Sequence, residues 1–565
     1  MKKIILLFAT ILFTYSAKSQ CAQNSTEVLV LGDSWGAFTW ENNSHNINFD
    51  KYGLSDKKAF STGASVSPTS NTDLTHSGVE SNNYLTSARK VSILNALNSN
   101  PNIKIVHISL GGNDFINNWD TTWTQAQIDT LTQTTLDSIT SIINFLRQQK
   151  PSLKIFLSTY DYPNFEEVIN GSTSHPFYGR WNAMKKPSFY QVNKLLSDFN
   201  VALSSYITTA PDLYFVNTLG LMQYYFGQTY NLPYAPFGSY PALTAPLPNG
   251  YINYPSPMVA MNTYLMIIKD AFHLSPTGFE YLIGHQVKNY YFEELRNYDI
   301  TTKGEHLKCG YANANNSFGD SSIIIGNVNN VKHVGLLSFT VPTLNSSKSV
   351  GKASIFLKRK GLVGTNPIGS YSFNVEMTAD SLGNSSFPDN MDFSASVTAT
   401  ATACNFGSVS GNDYWLRLDL PQSMAQQLTS NTQYQFKVGI VGNNSNANQA
   451  LLFYSDSTSN NAPFIDIFYT TPLSINDNTL NNTSGLSIYP NPAASDLSVL
   501  FTEDFSGSIE LVDILGNKLT EVIVNTNSQQ VNIKLPNIAN GIYFILAKNR
   551  NTNKIITEKI VVENK

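Results

Sequence analysis

A serine hydroxyl attacks an acyl carbon readily only when a neighbouring imidazole removes its proton. The imidazole works best when a carboxylate holds its tautomer and stabilises its positive charge. Two short segments of this chain carry those residue types. Gly32-Asp33-Ser34 follows the apolar run Val28 to Leu31, and Asp270-Ala271-Phe272-His273 precedes Leu274-Ser275-Pro276-Thr277-Gly278. A third segment, Gly111-Gly112-Asn113-Asp114, ends the apolar run Ile103 to Leu110. Its amide, beside glycines that let the backbone come close, could donate to an oxygen that becomes negative during acyl transfer. Each segment also has a plainer reading. An Asp-Ser turn caps a helix, Asp-x-x-His pairs are commonly structural, and Gly-Asn makes turns.

The elements that must position these residues follow from periodicity. From Glu27 to about Tyr298, short apolar strands (Val28 to Leu31, Ile103 to Leu110, Leu153 to Ser158, Leu213 to Val216) alternate with helical stripes. One stripe, Ile128, Leu131, Leu136, Ile139, Ile142, Ile143 and Leu146, ends before Pro151; others span Ala88 to Leu97 and Phe189 to Tyr206. The alternation predicts an α/β domain with a parallel sheet covered on both faces. Ser34 then lies at the carboxyl end of the first strand, where open α/β sheets bind ligands, and the Asp270–His273 segment is expected on a loop entering a helix. Leu221 to Pro257 is rich in Pro, Gly and Tyr with no period, and loops of that length usually cap a binding site.

Taken together, GDSWG, GGND and DAFH followed by Leu-Ser-Pro, in that order, resemble the SGNH (GDSL-type) hydrolase family. The resemblance implies a three-layer α/β/α fold, Ser34 as nucleophile, His273 as general base and Asp270 as its orienting acid. It also implies an oxyanion hole formed by the Ser34 amide, Gly63 and Asn113, with no cofactor and no metal. Trp35 stands where the commonest motif has leucine, either tolerated there or shaping a substrate wall. Asp161, in Thr159-Tyr160-Asp161-Tyr162-Pro163, reads as a turn before Pro163 in preference to a substrate contact. The other seven of the eight histidines show no metal spacing, and there is no His-Glu-x-x-His or paired Cys-x-x-Cys.

After about Thr301 the helical stripes stop. Eight short β-rich runs between Val334 and Tyr469, Phe393 to Thr400 among them, predict a sandwich or jelly roll. Its closing run, Leu452 to Tyr469, is similar to the end of DNRLRE-type carbohydrate-binding sandwiches. Beyond a polar stretch, Ser487-Ile488-Tyr489-Pro490-Asn491-Pro492, Leu511-Val512-Asp513-Ile514-Leu515-Gly516, Asn540-Gly541-Ile542-Tyr543-Phe544 and Lys559-Ile560-Val561-Val562 resemble the type 9 secretion sorting domain of Bacteroidota. That resemblance implies passage across the outer membrane by the type 9 machinery, with release or surface attachment.

At the other end, Lys2 and Lys3, the apolar run Ile4 to Leu12 and Ala17-Lys18-Ser19 have the pattern of a signal peptide. Gln20 sits where a small residue should precede a lipidated Cys21, which argues against a lipoprotein. In an oxidising compartment Cys309 and Cys404 could pair, or both could stay buried thiols. No later stretch approaches eighteen apolar residues, which disfavours a transmembrane segment. With 36 Lys+Arg against 40 Asp+Glu, the net charge of −4 offers no field for nucleic acid.

The expected organisation is a signal peptide over 1–19, a hydrolase domain over 22–300, a β-sandwich or jelly-roll domain over 301–472, a linker over 473–485 and a sorting domain over 486–565 that forms a second, smaller β-sandwich. The expected activity is that of a secreted or surface-attached serine esterase working through an acyl-serine. Acylated carbohydrate is the first substrate expectation, because an appended sandwich could hold the enzyme on a polymer and the Leu221–Pro257 aromatics suit sugar stacking. A lipase-type esterase and an adhesin on an inactive hydrolase fold are the alternatives.

Overall fold

The computed structural model describes residues 21, 24–65, 70–207, 212–226, 249–265, 267–344, 349–383, 385–441, 448–456, 459–470, 486–513, 516–550 and 555–563. The expected signal peptide and linker, and residues 227–248 of the Tyr-rich excursion, lie outside them. The chain divides into two compact units, one ending at Thr471 and the other running from Pro472 to Lys565.

In the first unit the four apolar runs predicted between Val28 and Val216 all become strands, and the inner ones are covered on both faces. Strands β1 (Ser25–Gly32), β2 (Lys57–Phe60), β3 (Ile105–Ser109), β4 (Lys154–Ser158) and β5 (Leu213–Val216) form one sheet in the order β2-β1-β3-β4-β5. All four pairings are parallel. Val28 to Leu31, Ile105, Val106 and Ile108 have no exposed surface. The flanking helices include α1 (Ser34–Glu41), α2 (Ser44–Lys51), α3 (Ser87–Ser99), α4 (Gly112–Asn118), α5 (Gln125–Gln149), α6 (Phe189–Ile207) and α7 (Pro276–Gln286). Ile139, Ile142, Ile143 and Leu146 of the predicted stripe are the buried face of α5, and Thr124 with Gln127 closes its first turn as a capping box.

Register aligns Gly32 with Ser109 and Ser109 with Ser158 at the carboxyl ends of β1, β3 and β4. The strand order reverses between β1 and β3. A crevice opens at such a switch point, and the Gly32–Ser34 and Gly111–Asn113 turns face each other across it.

An antiparallel β region completes this unit. Its 16-residue strand Ser349–Gly364 pairs first with Trp415–Asp419 and Phe464–Thr470, then past a bulge between Arg359 and Gly361 with Gln449–Phe453, so one chain segment serves both layers. The run expected over Phe393 to Thr400 is displaced: the strand is Ala399–Phe406, pairing with Phe373–Ala379. Strands Ile300–Lys303, Gly310–Asn313 and Ile323–Val328 extend the sheet earlier than the apolar runs suggested.

The β region is packed against the α/β region. Arg417 lies between Asp56 at 2.9 Å and Asp419 at 2.8 Å, with all three side chains largely buried. Burial alone would raise the Asp56 carboxyl, but the Arg417 guanidinium, with Lys57 and Lys352, outweighs it and holds Asp56 below the usual range. Phe292 meets Trp415 and Phe356 at ring separations of 5.7 and 5.8 Å, and Gly407 N–H donates to Ser55 Oγ at 3.0 Å.

The cysteines pair otherwise than the sequence suggests. Cys404 is bonded to Cys21, not to Cys309, which is a buried free thiol. The bridge spans 383 residues and ties the lead-in to β1 onto the β region, so reduction should loosen this junction first. Cys404→Ser, or added reductant, is expected to lower stability by about 2–5 kcal/mol in thermal melts of the oxidised chain. An unchanged Tm would show that the noncovalent interface alone carries the junction.

The second unit is a five-stranded antiparallel sheet built on the long strands Asp496–Val512 and Lys518–Lys534. Its buried residues include Leu497, Val499, Ile509, Leu511, Ile545 and Ile560. No helix among the described residues is long and apolar enough to cross a membrane.

Candidate active site

β1 must stop where Ser34 starts α1. Asp33 caps that helix, its Oδ1 accepting the Trp35 amide at 2.9 Å, and the Asp33 amide donates to the Ser109 carbonyl at 3.2 Å. A Cβ on Gly32 would lie 2.6 Å from that same carbonyl oxygen, which is why glycine ends the strand. Ser34 is held on the first turn of the helix with 2% of its surface exposed.

The histidine arrives on a strand and not on the expected loop. Ile268–Leu274 (β7) pairs antiparallel with Met261–Tyr264 (β6), and Ser275 then caps α7 through the Gly278 amide at 3.1 Å, with Pro276 in the first turn. The segment folds as a hairpin because Ala271, Phe272 and Leu274 are buried.

From β7, His273 Nε2 lies 2.8 Å from Ser34 Oγ and His273 Nδ1 lies 2.7 Å from Asp270 Oδ2. Asp270 Oδ1 accepts the Phe272 and His273 amides at 2.7 and 3.0 Å. Burial of Asp270 would raise its carboxyl, but the adjacent His273 ring and the two amides together keep it below the usual carboxylate range. A carboxylate can only accept, so Nδ1 carries the ring hydrogen, and Nε2 is left to accept the Ser34 hydroxyl proton.

The GGND segment is helical from its second glycine. Gly111 caps α4 at φ +106°, a backbone conformation that glycine adopts without strain. Asn113 Nδ2 donates one hydrogen to the Val79 carbonyl at 3.1 Å, and Asp114 accepts the Ser81 amide and hydroxyl at 3.0 and 2.7 Å. These bonds fix the loop preceding α3 against α4. Gly63 has φ +107°, and a Cβ there would meet the Thr75 carbonyl oxygen at 1.9 Å. Thr75 bridges to Gly32, so the loop carrying Gly63 is packed beside the end of β1.

Asp161 fits the turn reading. Fully buried, it accepts the Gly220, Met222 and Tyr162 amides at 2.6, 2.7 and 2.7 Å, tying the segment after β4 to the helix Leu221–Tyr225. Burial pushes its carboxyl up to about 6 against the pull of those amides. Trp35 does not form a substrate wall. It is 2% exposed and stacks beneath Tyr160 at 4.8 Å, with Phe279 edge-on at 5.3 Å.

Tyr160 itself escaped the sequence reading. Its hydroxyl donates to Asp33 Oδ2, and its ring occupies the space where a Cβ on Gly112 would sit, 1.6 Å from Cε2. One aromatic ring therefore joins the serine turn to the GGND turn. Burial pushes Asp33 up to about 7, opposed by Tyr160 and the Trp35 amide. The one available signal was an aromatic at the carboxyl end of a strand adjacent to β3. His45 and His107 lie elsewhere, ring against ring at 5.6 Å in the core, where burial lowers His107 to about 3.

Residues 487–563 match the family described as "Secretion system C-terminal sorting domain", which marks the chain as secreted or cell-surface. No curated protein matches the chain. Among solved structures, a carbohydrate esterase family 3 protein from Talaromyces cellulolyticus is 13% identical, covering 48% of this chain and 98% of its own, with a TM-score of 0.26. The family 3 carbohydrate esterase of Clostridium thermocellum is 17% identical, with coverages of 48% and 98% and a TM-score of 0.24. A carbohydrate acetylesterase family member from Sinorhizobium meliloti is 13% identical, with coverages of 48% and 99% and a TM-score of 0.26. Only the side chains of this protein bear on what its own site does.

Proposed function

We propose that this chain is a secreted serine esterase, its hydrolase domain spanning 22–300, that removes acyl groups from carbohydrate. The observation that carries the reading is the unbroken relay Ser34 Oγ, His273 Nε2, His273 Nδ1, Asp270 Oδ2 at hydrogen-bond distances. In the first step Ser34 Oγ bonds to the acyl carbon and its proton passes to Nε2. The carbonyl oxygen becomes an anion facing the Ser34 and Gly63 amides and the second hydrogen of Asn113 Nδ2. The imidazolium, steadied by Asp270, returns the proton to the departing alcohol and leaves an acyl-serine. Water repeats the sequence, releasing the acid and restoring Ser34.

A panel of acetylated glycans and nitrophenyl esters of increasing chain length tests the reading. Turnover of acetyl esters that falls with acyl length supports it. A preference for long chains would move the activity to lipid, and no turnover of any ester would remove the proposal.

Asn113→Ala should lower kcat by about 10²–10³ with little change in KM, the usual effect of deleting one oxyanion donor. The lost bond to Val79 should cost only about 1 kcal/mol of stability. A variant that melts earlier but turns over normally would make Asn113 purely a loop anchor.

A further inference from the structure

The segment that follows Phe177 borders the relay and carries a set of charges that the mechanism does not use. The Phe177 ring lies 6.5 Å from the His273 ring. Three residues on, the exposed Arg180 donates through Nη1 to Asn117 Oδ1, and Asn117 lies one helical turn beyond Asn113 on the same face of α4. The Arg180 guanidinium is therefore tethered to the helix that carries Asn113, three residues after the ring that neighbours His273, with most of its N–H groups still free to donate.

Two residues of the same turn are held at a cost. Lys185 and Lys186 are consecutive non-glycine residues in the left-handed region, at φ +64° and +55°. The turn folds back on itself, with Lys186 N–H donating to the Trp181 carbonyl at 2.9 Å. It sets Lys186 Nζ 5.2 Å from the centre of the Tyr178 ring and 6.0 Å from that of Trp181. Tyr178 and Trp181 are half-buried, so each keeps some ring surface in solvent. The Lys185 charge acts on the Asp120 carboxylate, whose hydrogen bonds go to Thr122. Glu80, the other nearby carboxylate, is occupied by the Asn117 and Asn118 amides at 3.0 Å. Among the described residues neither Arg180 nor Lys186 enters an ion pair.

We infer that Arg180 and Lys186 form an anion-reading subsite, so that the ester cleaved at Ser34 is carried on an acidic polysaccharide whose sugars bear carboxylate or sulfate groups. This rests on the esterase reading above and narrows its substrate class. The planar guanidinium suits a carboxylate or sulfate in two-point contact, and the part-exposed Tyr178 and Trp181 rings beneath Lys186 suit a pyranose face.

The experiment compares kcat/KM of the full chain on acetylated polygalacturonate, an acetylated sulfated galactan, acetylated xylan as a neutral polymer, and p-nitrophenyl acetate. Arg180→Gln and Lys186→Gln together should reduce the ratio of anionic-polymer to neutral-polymer activity by about 10- to 100-fold, with Arg180→Lys recovering part of the loss. In the unsubstituted chain that ratio should fall as salt rises. Whichever anionic polymer carries the effect identifies the charged group. Equal losses on xylan and on the anionic polymers, or no loss on either, would overturn the inference. So would charge-dependent binding to anionic phospholipid vesicles with no polymer preference. Failure of the unsubstituted chain on p-nitrophenyl acetate as well as on every polymer would instead remove the esterase reading beneath it.

Discussion

Ser34→Ala should abolish ester turnover, on the order of 10⁶-fold in kcat, and leave the melting temperature nearly unchanged. The size of the loss follows from the relay: without Oγ there is no acyl-enzyme, and His273 has no proton to accept. The small stability effect follows from what the side chain holds, a single hydrogen bond to a part-exposed imidazole that water can replace. The helix cap is unaffected because it comes from Asp33. Activity with acetylated substrates and a thermal melt on the same preparation check both parts. Retained turnover would exclude Ser34 as nucleophile.

His273→Ala should be nearly as damaging as Ser34→Ala, whereas Asp270→Asn should retain more, with a loss of about 10⁴. The difference is one of proton placement. Asparagine can still accept the Phe272 and His273 amides through its oxygen, but its NH₂ then faces Nδ1. The ring must take the opposite tautomer, and Nε2, now protonated, cannot accept from Ser34. Asp161→Asn provides the contrast, because that carboxylate holds three amides of the Tyr162 to Met222 region. It should lower the melting temperature and leave kcat largely intact. A crippled Asp161→Asn beside an unaffected Asp270→Asn would transfer the acid role to Asp161.

What could be read in advance tracks the range of the forces involved. β1, β3 and β4 are buried on both faces, and burial writes a continuous apolar run; β5, at one edge of the sheet, is apolar although Tyr214 and Phe215 are only half-buried. β2 reads Lys57-Lys58-Ala59-Phe60 with only Ala59 buried, so an edge strand left no such run. The Asp270–His273 spacing marked the relay, but its hairpin depends on pairing with Met261–Tyr264, where a bulge breaks the alternation.

The contacts that join distant segments were the least legible. Tyr160 meets Asp33 across 127 residues, and Cys21 meets Cys404 across 383. Neither partner carries a local sign of the other. The packing of the β region through Arg417 and Asp56 is of the same kind, since a buried ion pair reads as two ordinary charges in sequence.

The central claim is that Ser34 is an activated hydroxyl, and a fluorophosphonate probe tests it most directly, since the reagent phosphonylates a serine only when a neighbouring base removes its proton. Mass spectrometry of the labelled, digested chain should find the adduct on the peptide containing Ser34, lost in Ser34→Ala and strongly slowed in His273→Ala. A folded chain that stays unlabelled, or that is labelled equally well without His273, would contradict the account.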